Sequence, residues 1–143
     1  MSAVVLVGVA VFEVASGADR GTGSIGWREL PGQDLGPWAV IAIVLLVSLT
    51  NATFEELLWR VGMQGLFTSR RLLLVQWLVV SVAFGLSHVG GTPGGTIGML
   101  FAGLFGAAMC VLREMCRGSV VWIVAVHFVA DVILMGGVYG VWT

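Results

Sequence analysis

Four apolar stretches dominate this chain: residues 37–67, 72–89, 96–112 and 119–142. A helix that crosses a bilayer needs about 20 mostly apolar residues, each rising about 1.5 Å. In lipid, only helices and closed barrels satisfy every backbone polar group, and runs of this length suit helices. Composition points the same way. The chain is 58% hydrophobic and 10% charged, where an average soluble domain is about 25% charged. A soluble domain of 143 residues would carry more apolar surface than it could bury, whereas a bilayer removes the need for a polar exterior. The expected fold is all-α: a polytopic membrane bundle of about four to five helices around a buried polar site.

The remaining segments set the organisation. An N-terminal run from Ala3 to Ala15 is short for a span, is interrupted by Glu13 and lacks the basic flank of a signal peptide. It reads as a partial or tilted membrane helix. Ser16 to Gly36 is rich in glycine and charge and reads as an exposed loop. The boundary therefore falls between residues 1–36 and a four-helix core over 37–143. Gly90 to Gly95 is a turn by composition. Small residues at Gly98, Ala102, Gly103, Gly106 and Ala107 suit close helix packing in lipid. Cys110 and Cys116 lack the spacing of a metal or redox pair and read as core- or lipid-facing thiols. A net charge of −1 and the absence of any basic run argue against nucleic acid as a partner. Arg70, Arg71, Arg113 and Arg117 fall at one end of a four-helix arrangement, which predicts that end to be cytoplasmic.

Against this background, residues 53–62 read TFEELLWRVG. A charge at mid-membrane costs about 2.5–3.5 kcal/mol on the insertion scale, so two adjacent glutamates need a reason. Glu56 and Arg60 are four apart with the acid first, the spacing of a helical ion pair. Thr53 followed by Glu56 fits a capping box that would restart a helix after a kink near Asn51. Neither explains Glu55, which projects about 100° around the helix from Glu56. The chain's two histidines also lie in apolar segments, His88 in FGLSH and His127 in HFVAD. His127 and Asp131 share a helix face. Phe84, four residues before His88, reads by itself as core packing. A single shared cluster accounts for Glu55, Glu56, His88, His127 and Asp131 at less cost than five separate burials. Counted along antiparallel helices from the Arg70–Arg71 turn, Glu55 and His88 come level at roughly 22–26 Å, with Asp131 near that depth.

These residues carry a resemblance. EELLWR fits EExxxR, FGLSH fits FxxxH and HFVAD fits HxxxN/D; in this order, on successive membrane helices, they resemble the CPBP family of intramembrane proteases. That family includes the CAAX prenyl endopeptidases and the abortive-infection proteins. The resemblance covers residues 37–142. It implies an endopeptidase of the glutamate type, with Glu55 as general base acting on water together with His88. It further implies His127 and Asp131 as the oxyanion-stabilising pair, and Glu56, Arg60 and Phe84 as supporting or substrate-binding groups. It implies no cofactor, a membrane-associated peptide or protein as substrate partner, and a place in a prokaryotic cell membrane. Two departures stand out: position 131 is Asp where the prenyl endopeptidases have Asn, and the chain is short for the family.

The chemistry is coherent without the family name. Peptide hydrolysis needs an activated water and donors aimed at the developing oxyanion. Asp131 donates to an oxyanion only when protonated; ionised, it orients His127 as a cationic donor, the reading that the i, i+4 spacing favours. Three rivals remain open on sequence. Glu55, His88 and His127 are a zinc-compatible set, although there is no HExxH and few acceptors are in sight to take the second N–H of each of two imidazoles. A non-catalytic immunity or scaffold protein would bind a membrane peptide in the same cavity. A proton-coupled transporter would use buried acids and histidines as relays.

Overall fold

A computed structural model describes residues 36–67, 69–91 and 94–138 of the chain. The expected N-terminal helix and loop lie outside the described residues, except for Gly36. Helix α1 is Pro37–Glu56 and continues through a π-helical segment, Leu57–Met63, and a 3-10 turn, Gln64–Leu66. Helix α2 is Leu73–Ser87, preceded by a 3-10 turn at Arg70–Leu72; α3 is Gly95–Met115 and α4 is Val120–Val138. The described residues contain no strand. Four helical spans are long and apolar enough to cross a membrane: Pro37–Leu66, Arg70–Ser87, Gly95–Met115 and Val120–Gly137. The fold is a polytopic helical bundle.

Local chemistry explains the helix ends. Pro37 opens α1, where its missing N–H is not needed. Helix α3 closes in a Schellman turn: Gly118 N–H donates to the Arg113 carbonyl at 2.8 Å and Arg117 N–H to that of Glu114 at 3.1 Å. Arg117 holds the left-handed position (φ 54°) that glycine usually fills. An arginine thus stands at this end of the bundle despite the backbone cost, as do the exposed Arg70 and Arg71 at the end of the preceding hairpin.

The kink and helix restart expected around Asn51 do not occur. Helix α1 runs unbroken through Asn51 to Glu56. The Thr53 hydroxyl does not cap; it donates to the Leu49 carbonyl one turn back at 2.7 Å, as Thr50 does to Leu46. In an apolar surrounding a hydroxyl finds its acceptor on its own helix, which satisfies it without breaking the ladder.

The irregularity lies further on. Every fourth residue of this helix is buried: Val40, Val44, Ser48, Ala52, Glu56, Arg60 and Gln64. On a regular α-helix a step of four overshoots one turn by roughly 40°, so a row this long would wind off the buried face. The π segment has a wider turn, with i→i+5 bonding. It rotates the chain back and keeps Arg60 and Gln64 beneath Glu56.

The helices associate as two tight pairs, α2 with α3 and α1 with α4, which meet each other more sparingly. Small residues make the first pair. A Cβ on Gly85 would lie 2.7 Å from the Met99 carbonyl oxygen and 3.2 Å from Gly103 Cα, so backbone rests on backbone here, as lipid-embedded helices require for close approach. A Cβ on Gly106 would lie 3.1 Å from the Phe84 ring. Large apolar side chains such as Leu46, Phe54, Leu74, Leu78, Leu104 and Trp122 face outward, the polarity expected of a bundle solvated by acyl chains. Gly85→Ala is expected to force α2 and α3 apart and lower stability by about 1–3 kcal/mol, read as a lower Tm in detergent. Gly65→Ala, whose Cβ meets open space, is the control. Equal stability of the two variants would contradict this account of the crossing.

Candidate active site

The polar groups converge where the two pairs meet. From α1 come Asn51, Glu55 and Glu56, and from the π segment Arg60. His88 lies at the C-terminal end of α2, and His127 and Asp131 lie on α4. The most buried of them form a chain of ionic contacts. Arg60 Nε lies 3.2 Å from Glu56 Oε2, with both side chains fully buried. The other Glu56 oxygen, Oε1, lies 2.6 Å from His127 Nδ1. A carboxylate facing a guanidinium accepts only, so the His127 Nδ1 proton points to Glu56. The second imidazole nitrogen, Nε2, is left to face Glu55 Oε2 at 3.6 Å and Asp131 Oδ1 at 3.5 Å.

His88 is oriented in the same sense by a different partner. Its Nδ1 lies 2.8 Å from the Phe84 carbonyl oxygen, an acceptor, so that nitrogen carries the proton, with the Ser87 hydroxyl at 3.2 Å. Its Nε2 faces Glu55 Oε1 at 4.0 Å. Glu55 is therefore flanked by the Nε2 atoms of both histidines. Both distances exceed a direct hydrogen bond, and Glu55 Oε2 has no hydrogen-bond partner among the described residues. Glu55 and His88 keep 17% and 22% of their side chains exposed, whereas Glu56 and Arg60 keep none. Among the acids and histidines of the cluster, the accessible edge is thus the Glu55–His88 edge.

Phe84 is buried in the core, as its spacing alone suggests, and it packs against the cluster. Its ring lies 4.6 Å from that of His88 and 6.3 Å from that of His127, and the Arg60 guanidinium carbon lies 5.2 Å from its centroid. Phe105 on α3 backs His127, with ring centroids 4.9 Å apart. Arg60 Nη1 and Nη2 have no hydrogen-bond partner among the described residues, so the ring face supplies part of what stabilises that cation. Gly106 leaves the space that Phe84 occupies.

Sequence reading missed two features of this cluster. The contact between Glu56 and His127 joins residues 71 apart, which no local spacing announces. Asn51 Nδ2 donates to Asp131 Oδ2 at 3.0 Å; Asn51 stands one turn before Glu55, and that i, i+4 spacing was a signal available in the sequence. The scarcity of acceptors for two imidazoles, which counted against zinc, is also corrected. Both Nδ1 atoms have one, the Glu56 carboxylate for His127 and the Phe84 carbonyl for His88. The grouping of donors is a separate matter: among the described residues, no three His, Cys, Asp or Glu side chains are placed so as to hold a metal ion. Cys110 and Cys116 are free, the first buried and the second partly so.

Comparison with protein families matches residues 37–133 to the family described as type II CAAX prenyl endopeptidase Rce1-like. The match spans more than half of the chain and contains every residue of the cluster. This chain belongs to the Rce1-like type II CAAX prenyl endopeptidase family. Membership places it among intramembrane endopeptidases of the CPBP group, and with the four apolar spans it is an integral membrane protein. No curated protein and no solved structure matches it.

The ionic chain of this family member generates a test. Removing Arg60 leaves Glu56 buried without its cation, which typically costs about 3–5 kcal/mol. Arg60→Ala is therefore expected to lower folded yield and Tm sharply, measured by fluorescence-detected gel filtration and thermal melting in detergent. A stable Arg60→Ala protein would mean that His127 alone suffices as the partner of Glu56.

Proposed function

We propose that this chain hydrolyses a peptide bond of a membrane-associated peptide or protein, using Glu55 and His88 to activate water and no metal. One observation carries the reading: Glu55, the most accessible acid of the cluster, is faced by two imidazole Nε2 atoms whose Nδ1 atoms are already committed. His88, protonated on Nδ1, offers a lone pair on Nε2. A water seated between that lone pair and the Glu55 carboxylate donates one hydrogen to each, which turns its oxygen lone pair toward a substrate carbonyl.

The water oxygen bonds to the scissile carbonyl carbon while its proton passes to Glu55. The carbonyl oxygen becomes an oxyanion and takes an N–H from Nε2 of His127, which on this reading is the imidazolium, with a proton on each nitrogen, among the Glu55, Glu56 and Asp131 carboxylates. The C–N bond then breaks, and the amine leaves with the proton held by Glu55. Glu56 holds His127 in the required orientation, and Arg60 holds Glu56 in place. Asp131 accepts a hydrogen bond from Asn51, so its role here is to face His127 Nε2 as a carboxylate rather than to donate. Phe84 seats both imidazoles. The family's name makes a prenylated CAAX peptide the first substrate to offer, and the proposed setting is a prokaryotic cell membrane.

The test is incubation of purified protein with such a peptide and with a membrane proteome, with new termini read by mass spectrometry. Wild type is expected to cut, while folded Glu55→Gln and His88→Ala lose roughly 10²–10⁴-fold in kcat, the usual worth of positioned proton transfer. Cleavage is expected to survive 1,10-phenanthroline; loss with the chelator and return with zinc would assign the electrophile to a metal. Binding of a membrane peptide without any Glu55-dependent cut would favour a scaffold instead.

A further inference from the structure

We infer that Asn51 is a catalytic residue of this site, supplying the amide N–H of the oxyanion site that the residue at position 131 does not supply. The inference rests on the hydrolytic reading above and adds a residue to it.

An oxyanion forming beside His127 needs N–H or O–H donors. The side chain of α4 nearest His127 Nε2 among the acids of that helix is Asp131, at 3.5 Å. An ionised carboxylate offers acceptors only, and next to an oxyanion it repels. Yet Asp131 is not exposed to water that would screen it. What faces it is the Asn51 amide, with Nδ2 3.0 Å from Oδ2. An acceptor-only partner requires that the nitrogen end of the amide point toward it.

An amide nitrogen carries two hydrogens. One is committed to Asp131. The second remains, on a nitrogen held at the junction of α1 and α4. Position matters as much as chemistry. Asn51 lies four residues before Glu55 on an unbroken α-helix, so the two side chains lie on one face, one turn apart. Asp131 lies four residues after His127 on α4. The pairs Asn51/Glu55 and Asp131/His127 therefore stand opposite each other, with Asn51 against Asp131 and Glu55 against His127. A carbonyl carbon attacked by water at Glu55 presents its oxygen toward His127 Nε2, and the Asn51 amide, bonded to the carboxylate that faces that nitrogen, is the second donor of the proposal. Asp131 acts on the amide as a positioning residue: it accepts one N–H and thereby fixes the plane of the other.

This arrangement distributes the work differently from a site with an amide on α4. Across the α1–α4 contact the pair contains one amide donor, on α1, and one acid, on α4. Exchange of the two residues is therefore the informative experiment.

The assay is Glu55-dependent cleavage, with kcat and KM measured per folded enzyme and Tm recorded for every variant. Asn51→Leu, close in volume and without a donor, is expected to lower kcat roughly 10²–10³-fold, as loss of one oxyanion donor does, with KM little changed. Asn51→Asp is expected to lose as much. The double variant Asn51→Asp/Asp131→Asn restores an amide facing a carboxylate and is expected to recover kcat to within roughly tenfold of wild type, a strong coupling between neighbours. Folded Asn51→Leu with near wild-type kcat overturns the inference and leaves the hydrolytic reading standing. So does a double variant no better than Asn51→Asp alone at equal Tm. Absence of any Glu55-dependent cleavage by wild type overturns both.

Discussion

The Glu56 carboxylate is the contact on which the rest of the site depends. Its two oxygens are divided between Arg60 Nε and His127 Nδ1, and all three side chains lie out of solvent. Ions of this kind are tolerated in lipid only when paired and turned inward. Once the pair is made, much follows. α1 is tied to α4 near mid-span, the imidazole of His127 is set in one orientation, and its second nitrogen is aimed at Glu55. The i→i+5 turn of Leu57–Met63 belongs to the same requirement, because without it the buried row would wind on and carry Gln64 off the face that Glu56 occupies.

The second tier is apolar. Phe84 touches both imidazoles and the guanidinium face, and it lies where it does because Gly106 has no side chain. The α2–α3 crossing at Gly85 and Gly103 sets the height of α2, and with it the height of His88 at its end. Glycine spacing in one helix pair thus decides where a histidine meets a glutamate from the other pair. That chain of dependence runs from backbone contact, through an aromatic ring, to the chemistry.

Much of the architecture was legible in the sequence because membrane solvation makes it so. Apolar stretches marked four spans whose observed ends fall within a few residues of the expected ones, save the last, whose end lies outside the described residues. The i, i+4 pairing of Glu56 with Arg60 is local and was readable for that reason. The contacts that crossed helices were not. Periodicity says which residues share a face of one helix, but not which face of another helix they meet, so Glu56 with His127 and Asn51 with Asp131 stayed hidden. Thr53 misled, because its spacing to Glu56 copies a cap. In water a capping box satisfies free N–H groups at a helix start; in the middle of a lipid-embedded helix there is no start to cap, and the hydroxyl turns back to Leu49. The π segment left no signature at all, since its cause lies in the buried row of Glu56, Arg60 and Gln64 rather than in any helix-breaking residue.

The division of the cluster between two helix pairs bears on how a substrate reaches it. Asn51, Glu55, Glu56, His127 and Asp131 belong to α1 and α4, and His88 and Phe84 to α2. The tight α2–α3 crossing cannot part without separating backbones in contact at Gly85. The seam between the pairs is more sparsely packed, and it is bridged at Glu55 and His88 by a distance of 4.0 Å rather than by a hydrogen bond. These two and Asn51 are partly exposed, while His127 lies behind them, buried. On the proposed reading a peptide carbonyl approaching along the seam meets the water-activating edge first and turns its oxygen inward, toward His127 and the Asn51 amide. The base is placed where water and substrate arrive, and the buried donor, His127, is placed where charge develops and where the low-dielectric interior strengthens it most.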